Sequence, residues 1–290
     1  MRRACIDIGS NTTRLLVADC DGGRLREIHQ ERVFTQVRRG VLADDTIAPE
    51  KISEVVAVVV AQVCAARRLG CAEIYAVATA AIRRAPNGQA LVAAIRDACE
   101  VQVRVLTEQE EARLAFVGAA RTLGHVPAGD LGVVDVGGGS SELVVGTAPD
   151  TVTWSTSFAV GSGDLADNCL RSDPPSEAEL RDARARVARA LEGFDAPHPI
   201  EAVAVGSGAA SLQRLAGPLL DSGAFTRSLA LLTTEPRADV ARRFGLDVER
   251  VRLLPAGLLI LQGASVLLGA SLQIARGGLR EAVLLEAAHG

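Results

Sequence analysis

Aromatic side chains make up only 3% of this sequence of 290 residues, and its 31 basic residues include a single lysine, Lys51. The formal net charge is -4. Domains that bind nucleic acids usually carry basic stripes interleaved with aromatic residues, so the composition argues against a nucleic-acid partner. Because nearly every cation is an arginine, we expect any phosphate group to be bound by guanidinium, which holds oxyanions bidentately.

The sequence also lacks recognisable metal-binding or redox motifs built from cysteine and histidine. The six cysteines are Cys5, Cys20, Cys64, Cys71, Cys99 and Cys169, and the four histidines are His29, His125, His198 and His289. No two cysteines have a spacing typical of zinc or redox sites. We therefore predict buried free thiols, and without a recognisable signal peptide we expect a reducing cytoplasm.

One long stretch without charge, Leu253 to Ala275, is long enough to span a membrane. Pro255, Gly263 and Gly269 interrupt it. These residues favour a buried helix followed by a turn over a membrane span, so we expect no membrane partner.

A phrase near the start of the chain recurs about halfway along it. "CIDIGSNTTRLLVAD", residues 5–19, aligns with "VVDVGGGSSELVVGT", residues 133–147, when Asp7 is matched to Asp135. In this alignment Arg14 of the first copy stands where Glu142 stands in the second. The two copies therefore offer opposite charges at equivalent positions.

Each copy opens a similar succession of secondary structure. The first predicts three strands over residues 4–8, 13–19 and 25–37, followed by alternating helices and strands, and the second begins in the same way after "GHVPAGD". Alternating strands and helices indicate an α/β fold with helices covering a sheet. We predict two domains, 1–123 and 124–290, that face each other across a cleft.

The turn within each repeated phrase is suited to binding phosphate. Small residues between two strands expose several backbone N-H groups and allow an anion to approach closely. A single turn of this kind is more often only a tight hairpin. Its duplication, with three glycines and two serines in the second copy, favours phosphate binding.

The opposite charges suggest a division of roles. Asp135 and Glu142 lie at the two ends of a hairpin turn, where two carboxylates and phosphate oxygens suit Mg²⁺. Arg14 would instead neutralise the phosphate directly.

Two further segments carry candidate residues. Arg83 and Arg84 follow a predicted strand, with Arg83 the stronger candidate for the cleft and a solvated surface pair as the alternative. Glu108, Glu110 and Glu111 open a predicted helix after Thr107. Acidic first turns usually only complement the helix dipole, so the residues alone do not choose a catalytic base among the three.

The segments "IDIGSNTTRLLV", "ATAAIRRAPNG", "TEQEEARLAFVGA", "VVDVGGGSSELVVG" and "VAVGSGAASL", in this order, resemble the exopolyphosphatase and guanosine pentaphosphate phosphohydrolase family. This family belongs to the superfold of actin, heat-shock chaperones and sugar kinases. The resemblance implies two ribonuclease H-like, actin-like ATPase domains. It implies hydrolysis of the terminal phosphoryl group of inorganic polyphosphate with Mg²⁺ or Mn²⁺, or conversion of guanosine pentaphosphate.

The resemblance also assigns roles to individual residues. Glu111 would be the catalytic base, and Asp135 and Glu142 the metal-associated acids. The implied phosphate-binding residues are Gly9, Ser10, Asn11, Thr12, Arg14, Arg83, Gly137, Gly138, Gly139, Ser140 and Ser141. Gly206, Ser207 and Gly208 would line the outer cleft. A homodimer is expected.

The chain departs from the family pattern at four positions. Asp164 replaces an expected basic residue, Ala209 and Ala210 replace Gly and Thr, and Arg252 occupies an acidic position. These changes concern the outer cleft and leave open which polyanion is bound. Asp164 and the negative net charge lead us to expect a preference for short polyphosphates. The alternatives of another class are a nucleotide-binding kinase or filament protein and a non-catalytic sensor of a signalling nucleotide.

Overall fold

The computed structural model describes residues 1–288. In chain order, the elements of the first part are β1 (Arg2–Ile8), β2 (Thr13–Asp21), β3 (Arg24–Val33), a 3-10 helix (Val37–Gly40), α1 (Pro49–Arg68), β4 (Glu73–Ala78), α2 (Ala80–Arg84), α3 (Gly88–Cys99), β5 (Val103–Val105) and α4 (Glu108–Thr122). The elements that follow are β6 (Leu131–Val136), β7 (Ser141–Thr147), β8 (Thr151–Phe158), α5 (Ser162–Cys169), α6 (Glu177–Leu191), β9 (Glu201–Val205), α7 (Gly206–Ala216), β10 (Leu219–Leu220), α8 (Ser222–Thr234), α9 (Arg237–Phe244), α10 (Val248–Leu268), β11 (Leu272–Ile274) and α11 (Leu279–Ala287).

The chain forms two compact units. Unit 1 consists of residues 1–114 and the chain from residue 279 onward, whereas unit 2 consists of residues 115–278. This division differs from the predicted ranges 1–123 and 124–290. It falls inside α4, which is one continuous helix, and α11 belongs to unit 1 because it packs on β1, β2 and β3.

Unit 1 contains a five-stranded sheet in the order β3-β2-β1-β4-β5. β1, β2 and β3 form an antiparallel meander, and β4 and β5 continue the sheet in parallel with β1. On one face, α1 and α3 bury a core that includes Ile6, Ile8, Leu15, Val59, Val63, Leu91 and Ile95. The carboxyl ends of β1, β4 and β5 therefore meet at one edge of this sheet.

Unit 2 contains a six-stranded sheet in the order β10-β11-β9-β6-β7-β8. β6, β7 and β8 form a second antiparallel meander, and β9 and β11 run parallel to β6. The repeated phrase thus opens the same topology twice. Asp7 pairs with Arg14 across β1 and β2, and Asp135 pairs with Glu142 across β6 and β7.

The third strand of the first meander is shorter than predicted. β3 ends at Val33, and residues 37–40 form the 3-10 helix instead of the end of a strand over 25–37. The backbone N-H groups of Gln36 and Arg38 donate to the carbonyls of Asn11 and Ser10, at 2.9 and 3.2 Å. The chain turns back because it binds the neighbouring hairpin turn, which local sequence does not show.

The stretch without charge forms most of α10, which begins after the N-cap Asp247 and ends at Gly269 with φ of 64°. The predicted buried helix followed by a turn is confirmed. Within residues 1–288, α10 is the helix whose length and composition would allow it to cross a membrane, and 67% of its most apolar window is buried. α10 packs against α5, α6, α7, α8 and α9 within unit 2, as a core helix does.

The cysteines are free thiols, but they are not uniformly buried. Cys5, Cys20 and Cys99 are buried, whereas Cys64 is exposed, and Cys71 and Cys169 are half-buried. The prediction of burial was wrong for Cys64, because it lies on the solvent side of α1. His289 lies outside the described residues.

Candidate functional site

The turn between β1 and β2 in unit 1 is closed by one hydrogen bond. The N-H of Gly9 donates to the carbonyl of Thr12 at 3.0 Å. In the part of the chain that the structure describes, the N-H groups of Ser10, Asn11 and Thr12 donate to no protein acceptor. Three consecutive amides without protein acceptors leave donors that suit an anion.

The turn between β6 and β7 in unit 2 repeats this arrangement. The N-H of Gly137 donates to the carbonyl of Ser140 at 2.9 Å. Among residues 1–288, the N-H groups of Gly138, Gly139 and Ser140 likewise have no protein acceptor. The second turn therefore offers the same three donors at equivalent positions.

In each unit, the segment that follows the third strand of the meander donates hydrogen bonds to carbonyl groups of the turn. In unit 1 this is the contact of residues 36–38 described above. In unit 2 the Ser162 N-H and hydroxyl donate to the Gly137 carbonyl, at 2.9 and 3.1 Å, and the N-H groups of Gly163 and Asp164 donate to the Gly138 carbonyl. These bonds engage carbonyl groups of each turn and leave three of its N-H groups without protein acceptors. The sequence interpretation missed this role, because no local signal in Gly161 or Ser162 indicates it.

Gly161 is also required by the space around the second turn. A Cβ at residue 161 would lie 2.3 Å from the carbonyl carbon of Gly138 and 2.4 Å from the nitrogen of Gly139. A side chain there would displace backbone atoms of the turn.

The carboxyl ends of β4 and β5 in unit 1 bring Arg83 to Glu111. Arg83 lies in the short α2, directly after β4, and Glu111 lies in the first turn of α4. The Arg83 Nη1 donates to Glu111 Oε2 at 2.9 Å and to the Leu106 carbonyl at 2.8 Å. Glu111 is 9% exposed. A buried carboxylate held by one guanidinium is a suitable proton acceptor at this sheet edge.

The three glutamates that open α4 have different surroundings. Glu110 accepts hydrogen bonds from the N-H and hydroxyl of Thr107, and these bonds hold the pKa of Glu110 below its usual range. Glu110 and Thr107 thus form a capping box. Glu108 contacts Arg83 and Arg84 at 3.3 and 3.4 Å. Glu108 therefore does more than complement the helix dipole.

Asp135 and Glu142 face each other in unit 2 as the hairpin predicted. Glu142 is 3% exposed and accepts a hydrogen bond from the Ser157 hydroxyl at 3.2 Å. Asp135 lies against the turn that leads from β9 into α7, where a Cβ at Gly206 would be 2.6 Å from Asp135 Oδ1. Gly206 also has a φ of 86°, so both conformation and space favour glycine there.

The chemistry of these two acids fits a hard divalent cation. Among residues 1–288 there is no group of three or more His, Cys, Asp or Glu side chains that could hold a metal alone. Mg²⁺ commonly uses one or two carboxylates and completes its octahedron with water and substrate oxygens. A pair of carboxylates beside a turn with three amides that lack protein acceptors matches that requirement.

Ser207 and Gly208, the other residues predicted to line an outer cleft, lie in the first turn of α7. The Ser207 carbonyl accepts the Ser211 hydroxyl at 2.9 Å, and a Cβ at Gly208 would meet no atom within 4 Å. Ala209 is buried and Ala210 is exposed.

The residues with altered charge make local contacts in unit 2. Arg252 on α10 pairs with Asp167 at 2.8 Å and with Glu249 at 2.7 Å. Asp164 is 9% exposed on α5, and its backbone N-H binds the Gly138 carbonyl. Asp164, which carries a negative side chain, thus also supports the turn between β6 and β7 through its backbone.

Comparison with known proteins gives a consistent result. The sequence model of the Ppx/GppA phosphatase family matches residues 16–290. Exopolyphosphatase 2 of Mycobacterium tuberculosis is 32% identical over 82% of this chain and 77% of its own length. Exopolyphosphatase 1 of Mycobacterium leprae is 28% identical over 98% of this chain and 89% of its own length.

Solved structures extend the similarity to the fold. The crystal structure of the Aquifex aeolicus member of the Ppx/GppA family is 26% identical and superposes with a TM-score of 0.83, covering 100% of this chain and 98% of that chain. The predicted two-domain, actin-like α/β fold is confirmed by this likeness and by the two related sheets.

Proposed function

Because the chain belongs to the Ppx/GppA phosphatase family and is a phosphoanhydride hydrolase, we propose that it is an exopolyphosphatase. The substrate would be inorganic polyphosphate, from which the enzyme removes the terminal phosphoryl group. The observation that carries this proposal is the pair of turns, Gly9–Thr12 and Gly137–Ser140, each of which presents three amides without protein acceptors. Such donors recognise phosphoryl oxygens without needing a base or a sugar.

Glu111 would act as the general base. Its carboxylate would accept a proton from the attacking water, while the contact with Arg83 keeps it in one orientation. A general base that is fixed in this way typically contributes about 10²–10⁴-fold to the rate. The remaining donors of Arg83, the Arg14 guanidinium and the turn amides would stabilise charge on the phosphoryl oxygens, since phosphoryl transfer depends mostly on positioning and electrostatics.

Asp135 and Glu142 would hold Mg²⁺ or Mn²⁺, which neutralises charge on phosphate oxygens when bound. The Ser157 hydroxyl would orient Glu142 for this role. Removing either carboxylate, by Asp135→Asn or Glu142→Gln, should raise the Mg²⁺ concentration required for half-maximal activity.

One set of assays tests the proposal. Phosphate release is measured from long polyphosphate, tripolyphosphate, guanosine pentaphosphate and ATP, each with and without Mg²⁺, for the parent enzyme and for Glu111→Gln. Release from polyphosphate that needs both Mg²⁺ and Glu111 supports an exopolyphosphatase. Faster release from guanosine pentaphosphate would establish the alternative substrate, and binding of that nucleotide without any hydrolysis would establish a sensor.

A further inference from the structure

The C-terminal helix of unit 1 places a buried arginine against the first hairpin. Arg280 lies near the start of α11 and is 5% exposed. Its Nη1 donates to the carbonyl of Leu15 at 3.3 Å, and its Nη2 lies 3.9 Å from Glu281 Oε1. Within the described chain, the bond to Leu15 is the one hydrogen bond made by this side chain, although a guanidinium has five N-H donors.

Leu15 directly follows Arg14, whose guanidinium has even fewer hydrogen-bond partners within the protein. Among residues 1–288, the Arg14 side chain makes neither a hydrogen bond nor an ion pair within 4.0 Å. Burial and then the like charge of Arg280 lower the pKa of Arg14 to about 10, and Asp7 opposes this effect. The two guanidinium groups therefore lie close enough to influence each other, with Arg280 buried and Arg14 half-buried.

Asp7 places a negative charge near both guanidinium groups, and within the described residues its buried Oδ1 accepts no hydrogen bond from either. It is nevertheless paired with Arg14 in the strand register. Burial raises the pKa of Asp7, while Arg14 and Arg280 oppose the rise and Glu281 adds to it. Asp7 and Glu281 thus provide counter-charge, whereas most of the N-H donors of both arginines stay available.

Charged donors that are withdrawn from water without protein acceptors cost free energy, which an oxyanion with several acceptor oxygens can recover. We infer that Arg280 and Arg14 together form a two-guanidinium site in unit 1 for a phosphoryl group. The identification of that group as part of the polyphosphate substrate rests on the proposed function; the binding of a phosphoryl oxyanion does not. Arg280 would be an additional binding residue contributed by α11.

Anion binding tests the site without any catalysis. The full-length chain is titrated with tripolyphosphate at constant ionic strength and without metal, and the increase in melting temperature gives an apparent affinity. Arg280→Gln should weaken this affinity about tenfold, as expected for the loss of charge-assisted hydrogen bonds. The matched control is Arg276→Gln, which removes an exposed arginine four positions away and should leave the affinity unchanged.

A purely structural role for Arg280 has a different signature. In that case Arg280→Gln would lower the melting temperature but keep the parental affinity for tripolyphosphate, and the inference would be overturned. If the glutamine variant does not fold, Arg280→Lys retains the charge but loses the planar donor set. The lysine variant should then bind tripolyphosphate several-fold more weakly than the parent, and parental affinity would likewise refute the site.

Kinetics then connect the site to the reaction. Arg280→Gln should raise KM for tripolyphosphate about tenfold and change kcat much less, because the contact already exists in the bound substrate. An unchanged KM would separate the anion site from the substrate. Failure of the parent enzyme to hydrolyse any polyphosphate would refute the proposed function, while the anion titration would still decide the site.

Discussion

Glu111 differs from Glu108 and Glu110 by its burial and by the shorter contact, 2.9 Å, that it makes with Arg83. Glu111→Gln should keep the fold and the affinity for polyphosphate, because glutamine has nearly the same shape and can still accept from Arg83. Turnover should fall by about 10²–10⁴-fold, since the amide cannot take up the proton. Steady-state kinetics with tripolyphosphate measure this change.

The matched control is Glu110→Gln, one position earlier. Glutamine preserves the capping box with Thr107, so activity should stay close to that of the parent. Equal losses in both variants would show that the first turn of α4 is merely sensitive to substitution and that Glu111 is not the base. Glu108 is unsuitable as a control, because its carboxylate contacts both Arg83 and Arg84.

Some of these residues could be predicted from the sequence, and others could not. The sequence placed Asp135 and Glu142 at the two ends of one hairpin turn, because the register of a tight hairpin follows from its turn length. The choice of Glu111 came from resemblance alone, since its burial depends on the distant Arg83. The sequence assigned no role to Arg280, because nothing there shows that the C-terminal helix returns to the first hairpin.

Glu179 supports unit 2 through a carboxylate that must be ionised. It caps α6 by accepting the N-H and hydroxyl of Ser176, and it also accepts the N-H groups of Arg171 and Ser172. Burial alone would raise its pKa, but the bonds from Ser172, Ser176 and Arg171 lower it to about 2. This stabilisation is complete above the unfolded value near 4.5 and is lost as the pH falls towards about 2.

Glu179→Gln should therefore lower the free energy of unfolding by about 1.5–3 kcal/mol at pH 7, the range for hydrogen bonds to a charged group. The difference from the parent should shrink as the pH falls below 4.5, because protonation removes the same charge. Urea unfolding at a series of pH values measures it. Glu177→Gln, an exposed substitution in the same first turn, is the control, and a pH-independent difference for Glu179→Gln would contradict the explanation.

At the level of elements, the start of α5 supports the turn between β6 and β7 by donating hydrogen bonds to its carbonyl groups. Gly161→Ala would place a Cβ against the backbone of Gly138 and Gly139, so the turn must shift. We expect a loss of about 1–3 kcal/mol in stability, as for other overpacked sites, together with a raised KM for polyphosphate. Chemical denaturation and kinetics measure the two effects.

Gly257→Ala provides the comparison, since its nearest neighbour is the Ser162 Cβ at 3.8 Å. Alanine in a helix interior is favoured over glycine by up to about 1 kcal/mol, so this variant should be at least as stable as the parent and fully active. Parental KM and stability for Gly161→Ala would show that the turn can move aside and that its backing is unimportant.

The predicted elements were those with a strong local signal. Both meanders, α1 with Pro49 at its start, and the helix after Ser176 follow from alternation, periodicity and capping. α2 and α5 are short, with five and eight residues, and local sequence did not predict them. Short segments of this kind become helical because of tertiary contacts, such as those of residues 162–164 with the turn at 137–138.

At the level of the whole molecule, the chain enters unit 2 through α4 and returns to unit 1 before α11. Gly118 of α4 packs so closely on Gly278 that a Cβ would lie 1.9 Å from its carbonyl oxygen. The sequence predicted one crossing, because a repeat indicates two consecutive copies. The second crossing depends on which sheet the last helix packs against, and an apolar helix face alone does not reveal that.

The overall charge bears on how a long substrate would be handled. Repeated cleavage of one polyphosphate without release requires many cationic contacts along the bound chain, since each neutralised phosphate adds to the affinity. This sequence has a net charge of -4, and Asp164 stands beside the second turn where the family resemblance suggests a cation. We therefore predict distributive hydrolysis and a preference for short polyphosphates.

Gel electrophoresis of partially digested long polyphosphate should show all chains shortening together. Asp164→Asn should lower KM more for long chains than for tripolyphosphate, because a repelling carboxylate is removed. Full-length polymer coexisting with free phosphate, without intermediate lengths, would demonstrate processivity and refute the prediction.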